Sequence, residues 1–518
     1  SCNRGFRVGS MSGNSDSEDA LESAVMDLLA ALGYETVNAY DEISGSRRLG
    51  RETLDEVVLL SRLRPALERL NPGVPPSALD EAIEALLADR SLATPAHANA
   101  DVYALLKDGV KVAFKDADQN DITETVRVID WHNPDNNDWL AVQQFWVLSQ
   151  NGLYKRRADV VLFINGLPLG FLELKTFHRN VEHAFNGNLS DYKDTIPHLF
   201  WYNAFIILSN GRDSRIGSMT SAWEHFSEWK RISDEQEAGR VSLETILLGV
   251  CERSRLLDLV ANFTLFKQSA GGLVKYIARN HQFLGVNNAI RAVQSLEENR
   301  GRLGVFWHTQ GSGKSYSMVF FAQKVLRTLP GNWTFLIVTD RQELDEQIYQ
   351  NFADVGAVPS VKGKRRDIQA QSGEDLKRLL QNDNRYIFTL IQKFHTRDGE
   401  PYPVLSERDD IIVMTDEAHR SQYDTFAANM RSALPNAAFI GFTGTPLMAG
   451  EEKTRQVFGE YVSIYDFKQS VEDGATVPLY YENRIPKLQL TNDQLNDDME
   501  ALLDAAMLDD AQESRLER

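Results

Sequence analysis

Cysteine is nearly absent, with two residues in 518. That excludes a disulfide framework and a four-cysteine zinc site. Long apolar runs are missing as well, and none approaches the roughly 18 residues that a membrane span needs. There is no excess of positive charge either, because 74 acidic residues against 55 Lys and Arg leave a formal charge of -19. A general nucleic-acid coat is thereby disfavoured, since phosphate contacts need clustered cations, although local basic channels stay open. No internal repeat or low-complexity tract is present. With 42% hydrophobic residues the chain can bury large cores, and its length suggests about three domains. A soluble, multidomain protein of a reducing cytoplasm, without a membrane partner, is the expectation.

Residues 1–10, "SCNRGFRVGS", precede Met11 and have neither the apolar core of a signal peptide nor a periodic pattern, so they read as a vector remnant. From Ser17, "SEDALESAVMDLLAALGYE" puts Leu21, Val25, Leu28, Leu29 and Leu32 on one face of a helix that ends at Gly33. Charged helical patterns continue to about Leu92, where "LATPAHANA" breaks the periodicity and strand-like segments are expected from "DVYALL" onward. Val110 to Lys175 reads mainly as strand and turn. A second break falls at "QSAGGLVKY", and the segment Phe266 to Gly272 is the natural place for coupling between the regions on either side. Beyond it the apolar runs "GVFW", "TFLIV", "YIFTL", "IIVM" and "AAFIGF" alternate with helical stretches. Strands buried on both faces of a parallel sheet look like this, which predicts a doubly wound α/β domain. The acidic stretch "NDDMEALLDAAMLDD" near the C-terminus reads as a solvated helix face.

The run "GVFWHTQGSGKSYSM", Gly304 to Met318, joins an apolar strand to a helix through a glycine-rich loop. His308 replaces the upstream glycine of the usual phosphate-loop pattern, and Gly311, Ser312, Gly313, Lys314 and Ser315 remain. Small residues admit backbone N–H groups to phosphates, the lysine meets the outer phosphate charge, and the serine hydroxyl can bind Mg²⁺. The helix N-terminus adds its positive dipole end. "IIVMTDEAHRSQ" supplies a second apolar strand ending in two acids, where Asp416 can hold the magnesium ion and Glu417 can polarise an attacking water. The next strand ends in "FTGTPL", with Thr443 and Thr445 at the same sheet edge. The expected cofactors are ATP and Mg²⁺.

A second chemistry lies upstream in "RRADVVLFINGLPLGFLELKTF". Asn165-Gly166 between apolar runs signals a hairpin. Glu173 and Lys175 are two apart and project from one face of a strand. A strict two-residue turn would set Asp159 opposite Leu172; a three-residue loop, Asn165 to Leu167, would set it opposite Glu173, and Pro168 makes an irregularity plausible. In that register two carboxylates bind Mg²⁺ and the lysine positions or activates a water for phosphodiester attack. The alternative is a hairpin carrying surface salt bridges.

The loop, the "DEAH" strand and "FTGTPL" resemble superfamily 2 helicases and translocases. That resemblance gives Gln282 the place of an adenine-contacting glutamine, and it places Arg341 of "TDRQELDEQ" and Gln392 and Lys393 of "TLIQKF" beside nucleic acid. Asp159, Glu173 and Lys175 resemble the PD-(D/E)xK nuclease pattern, with Ala158 in place of its proline. The two together resemble the restriction (R, motor) subunit of type I restriction-modification enzymes, over about Ser17 to Tyr481. The resemblance implies an ATP-driven motor that moves double-stranded DNA and cuts it in an Mg²⁺-dependent step when it is unmethylated. It also implies methyltransferase and specificity subunits as partners that recognise the DNA. Glu22 becomes a candidate extra metal acid, and Asn188 and Tyr192 of "NLSDY" stand where that family has Gln-x-x-x-Tyr.

The expected division is a nuclease-like α/β domain over residues 11–265, a first RecA-like doubly wound domain over 266–475, and the start of a second motor lobe or a linker, truncated, over 476–518. Without a second lobe to supply an arginine finger, worth about 10³ to 10⁵ in rate in related enzymes, the chain alone is expected to bind Mg-ATP but to turn it over poorly and not to translocate. Two other readings compete. One is the motor-nuclease of another defence or repair system, such as a type III restriction subunit, although those usually place the nuclease after the motor. The other is an ATP-controlled scaffold with a silent nuclease.

Overall fold

The leading helix forms over Glu18–Ala31 and buries Leu21, Val25 and Leu29 on the expected face. Gly33 follows it with φ +90°, a left-handed value that suits a helix end. Two further helices, Leu60–Leu70 and Pro76–Leu87, occupy the charged region. The break and strand start expected at residues 92–106 are replaced by one helix, Pro95–Asp108. Thr94 caps it by accepting from the His97 N–H, Pro95 takes the first position where a missing N–H costs nothing, and Gly109 ends it with φ +83°. The proline that reads as a breaker is a helix starter.

The computed structural model describes residues 18–44, 47–115, 119–360, 367–394, 402–416, 423–446 and 452–476, apart from the side chains of 44, 423–426 and 452–454. Glu417 and the acidic stretch near the C-terminus lie outside the described residues. Strands β1 (Glu35–Asn38), β2 (Val110–Lys115) and β3 (Asp121–Val126) come first. After them come β4 (Trp139–Leu148), β5 (Lys155–Ile164), β6 (Leu167–Leu174), β7 (Phe205–Ser209), β8 (Ser214–Gly217) and β9 (Ser227–Glu228). A hairpin follows, β10 (Thr264–Ser269) and β11 (Gly272–Ile277). The last set is β12 (Arg302–His308), β13 (Thr334–Thr339), β14 (Tyr386–Leu390), β15 (Ile411–Asp416), β16 (Ala438–Thr443) and β17 (Tyr461–Tyr465).

Two principal sheets result. The first is mixed, in the order β1-β4-β5-β6-β7-β8-β9, with an antiparallel β4-β5-β6 centre and a parallel β6-β7 pair reached by a helical crossover. The second is parallel throughout, in the order β14-β13-β15-β16-β12-β17. The five runs read as buried strands are β12 to β16. β17 escapes such a reading because "YVSIY" is short and half exposed. The fold is thus a nuclease-like α/β layer followed by a RecA-like doubly wound sheet. One continuous core runs from the first sheet to one face of the second, while a separate core covers the second sheet's other face.

Candidate functional site

The register of the β5–β6 hairpin decides what its carboxylates can do. Ile164 pairs with Leu167, so the turn is the two residues Asn165 and Gly166, with φ of 51° and 79°. Two positive φ values are the primed hairpin geometry that matches strand twist. Gly166 is required there, since a Cβ would lie 2.4 Å from the Leu59 carbonyl oxygen. Further along, Val160 pairs with Leu172, after a shift between Leu162 and Phe163. The extra residue is Leu169, directly after Pro168, whose missing N–H interrupts the ladder. That bulge moves the register by one and sets Asp159 opposite Glu173. The three-residue loop expected from the sequence is therefore a tight turn plus a bulge, with the same outcome for the acids.

Around the pair the contacts are specific. The Leu174 N–H donates to Asp159 Oδ2 at 2.8 Å. Lys175 Nζ donates to Glu173 Oε1 at 2.7 Å and to the Leu174 carbonyl at 3.0 Å. The crossover begins with a π-helical turn, Ala184–Leu189, from which the Asn188 amide donates to the same Glu173 Oε1. Tyr192 lies one turn on, its hydroxyl donating to the Arg157 carbonyl at 2.9 Å. Asn188 and Tyr192 thus reach the site despite the shorter amide side chain.

Glu173 is fully buried and its Oε2 has no hydrogen-bond partner. Burial pushes both carboxyl groups up, the Glu173 charge pushes Asp159 further, and the Lys175 ammonium pulls Glu173 back. Two neighbouring carboxylates with an orphaned oxygen are costly to bury unless a cation joins them. The donor set, two hard carboxylate oxygen groups beside a lysine, fits a divalent ion of the Mg²⁺ class. Among the described residues no three His, Cys, Asp or Glu side chains converge as a metal cage. Glu22 is therefore not a third member of a closed cage. It is buried on the leading helix, accepts from the amides of Gln143 and Gln144, and its charge adds a smaller push on Asp159.

In the second sheet, β12 runs into the glycine-rich loop. Gly311 and Gly313 take φ of 84° and 89°, and Lys314 opens the helix Lys314–Thr328, which carries Ser315 in its first turn. The loop is held from below by the helix Asn280–Gln294. Gln282 Nε2 donates to the Gly313 carbonyl at 3.0 Å, and its Oε1 accepts from the Tyr276 hydroxyl and the Arg279 N–H. Gln282 is fully buried, so its amide is engaged with the loop rather than open to a base. His281 Nε2 meets the Ser312 carbonyl at 3.0 Å. His308 is buried and bonded to Ser463 Oγ at 2.6 Å, and burial depresses its basicity well below an ordinary imidazole.

The parallel sheet brings the remaining candidates to one edge, the carboxyl ends of the strands. Asp416 closes β15, nearly buried, between the ends of β13 and β16. Thr443 closes β16, its Oγ1 donating to the Thr445 carbonyl and accepting from the Thr445 N–H. Arg341 follows β13 and is more than half exposed, while Gln392 and Lys393 follow β14. Gln392 donates to the Asp340 carbonyl at 2.6 Å and Lys393 to the Gln371 carbonyl at 2.7 Å.

A cavity of about 380 Å³ opens beside the loop. Gly311–Gly313, Tyr316, Tyr276 and Arg279 form one side, and Ser221 and His225, near the end of the first sheet, form the other. Tyr276 and Tyr316 stack at 4.6 Å between ring centres. The sequence offers no signal for these walls because they come from segments far apart in the chain. Gln143 and Gln144 are missed for another reason, since a polar pair in an apolar strand reads as an edge.

Two families match different parts of the chain. The type I restriction enzyme R protein N terminus matches residues 15–225, and the SWI2/SNF2 ATPase matches residues 281–513. Among curated proteins, the type I restriction enzyme HindI endonuclease subunit of Haemophilus influenzae is 38% identical over 515 residues, covering 94% of this chain and 48% of the relative. The putative type I restriction enzyme MjaIXP endonuclease subunit of Methanocaldococcus jannaschii is 33% identical over 514 residues, covering 91% of this chain and 46% of that one. The chain spans about half the length of the curated relatives it matches.

Proposed function

We propose that this chain is a type I restriction enzyme endonuclease subunit, like the curated relatives it matches, and that it unites a metal-dependent DNA nuclease with an ATP-driven double-stranded DNA motor. The observation that carries the reading is the buried Asp159–Glu173 pair, with an orphaned Glu173 oxygen and Lys175 hydrogen-bonded to its partner oxygen. A divalent ion held by Asp159 and Glu173, Mg²⁺ in this reading, would supply Lewis-acid activation at a phosphodiester. Lys175 holds its ammonium at the pair, where it orients a water or steadies the developing charge on phosphate. Asn188 donates to the same Glu173 Oε1 as Lys175, so both donors hold that oxygen and leave Oε2 to the ion.

Arg157 lies two residues before Asp159, over the Trp146 and Tyr40 rings at 5.5 and 5.6 Å. It is a cation that would meet a DNA backbone at the cutting site. In the parallel sheet, the N–H groups of Gly311 to Lys314 would cradle ATP phosphates, Lys314 would meet their outer charge, and Ser315 with Asp416 would hold Mg²⁺. Glu417 follows Asp416 and would polarise the attacking water. The 380 Å³ cavity beside the loop would receive the base and ribose, and Arg341, Gln392 and Lys393, which follow β13 and β14, would line the DNA path. Recognition of unmethylated sites belongs to methyltransferase and specificity subunits with which the chain assembles in the cytoplasm.

The test is reconstitution of the full-length protein with those subunits, scoring ATP-dependent cutting of unmethylated circular DNA. Lys175→Ala is expected to lose cutting by more than about a hundredfold while keeping DNA-stimulated ATPase. Lys314→Ala is expected to lose both. Wild-type ATPase without any cutting would instead favour a translocase with structural hairpin acids.

A further inference from the structure

Gln144 has a backbone that its residue type does not favour. It lies within β4 with φ +59°, the left-handed region, where a side chain other than glycine or asparagine is strained. Its position is central to the site: Gln143 pairs with Val160 and Phe145 with Ala158, so Gln144 sits across from Asp159. Consecutive residues of a regular strand point to opposite faces. Here both neighbours reach one atom, Gln143 Nε2 donating to Glu22 Oε2 at 2.8 Å and Gln144 Nε2 to the same oxygen at 2.5 Å. The left-handed residue is what makes that convergence geometrically available. Both donors are amides, and both are spent on a carboxylate buried on a different element, the leading helix.

Glycine would adopt this φ without strain, and nothing about the strand's pairing needs a long side chain there. A glutamine therefore makes sense through what its amide holds. We propose that Gln144 is a positioning residue of the cutting site, whose strained backbone delivers a second amide to Glu22 and fixes that carboxylate as an outer acid of the metal site beside Asp159 and Glu173. This inference rests on the nuclease reading of the pair. Gln143, anchored by the Asn38 amide at 3.3 Å, supplies the first donor from a regular backbone. The two amides together occupy Oε2 and hold Glu22 to one rotamer, as outer-shell partners of metal ligands do.

The experiment uses the full-length protein, stripped of metal, with Mn²⁺ alone as the probe. Affinity is measured by calorimetric titration and stability by thermal melting in chelator, for Gln144→Gly, Gln144→Asn, Glu22→Gln, Asp159→Asn and the Glu22→Gln/Gln144→Gly double variant. Gln144→Gly is expected to melt at or above the wild-type temperature in chelator, yet to bind Mn²⁺ about 10- to 100-fold more weakly. Glu22→Gln should weaken binding similarly, and the double variant no further. Gln144→Asn tolerates the left-handed backbone but its amide falls short of Glu22, so it should also weaken binding, which covers the case that the glycine variant does not fold. Wild-type Mn²⁺ affinity in a folded Gln144→Gly or Gln144→Asn overturns the inference. Asp159→Asn separates the two levels: if it loses Mn²⁺ while the Gln144 and Glu22 variants do not, only the role of Gln144 fails. If Asp159→Asn binds Mn²⁺ like wild type, the metal-nuclease reading itself fails.

Discussion

Lys275 shows how far a single residue departs from what its type suggests. It is buried on β11 with no carboxylate beside it among the described residues, and its Nζ donates to Asn99 Oδ1 at 3.0 Å and to the Asn203 carbonyl at 2.6 Å. Two acceptors match the two hydrogens of a neutral amine. Burial lowers its pKa to about 7. A base whose folded pKa is depressed binds fewer protons folded than unfolded between that value and the ordinary lysine value. Stability therefore rises as pH increases from about 7 toward 10, by up to about 1.4 kcal/mol per pH unit for one proton. Lys275→Met should flatten that slope in denaturant melts run across this range, and an unchanged slope would show that Lys275 stays charged. None of this is legible in "GGLVKYIA", because the polar acceptors come from a helix and a crossover more than 70 residues away. Asp159, Glu173 and Lys175 were legible because their chemistry and spacing are local. Gln144 was not, because a positive φ leaves no mark in the sequence when the residue is not glycine.

At the scale of elements, apolar pattern and turn residues carried most of the reading. Five buried runs became β12 to β16, and the Asn-Gly pair became a primed turn. The failures share a cause, since each depended on how an element ends rather than on its periodicity. Pro95 starts a helix instead of breaking one, and Leu169 is a bulge that replaces an enlarged loop. That hairpin end is also where the site is most vulnerable. Gly166→Ala puts a Cβ on the Leu59 carbonyl at a φ of +79°, which is expected to cost about 2 kcal/mol of stability. A denaturant midpoint equal to wild type would mean the turn can rearrange. Because the same turn begins the register that sets Asp159 opposite Glu173, the variant should also weaken divalent-ion binding.

For the molecule as a whole, the two sheets are joined physically at the place the sequence suggested for coupling. The segment Phe266 to Gly272 becomes part of the β10–β11 hairpin. Along β11, Lys275 contacts Asn99 of the helix Pro95–Asp108 and the Asn203 carbonyl before β7, and its neighbour Tyr276 donates to Gln282 beneath the glycine-rich loop. Ser218 and Thr220, just beyond β8, donate to the Lys275 carbonyl at 2.8 and 3.3 Å. The cavity beside the loop is walled by β8 and β9 of the first sheet, by the β10–β11 hairpin and by the loop that follows β12. The proposed nucleotide and nuclease sites thus share a continuous core while keeping separate reacting groups, and separability is the account's central claim. The measurement that tests it most directly is ATP hydrolysis and DNA cutting followed together, in one reconstituted sample, for Glu173→Gln. The account predicts DNA-stimulated ATPase close to wild type with cutting lost by more than about a hundredfold. Cutting at the wild-type rate would contradict it, as would a parallel loss of both activities in a variant that remains folded.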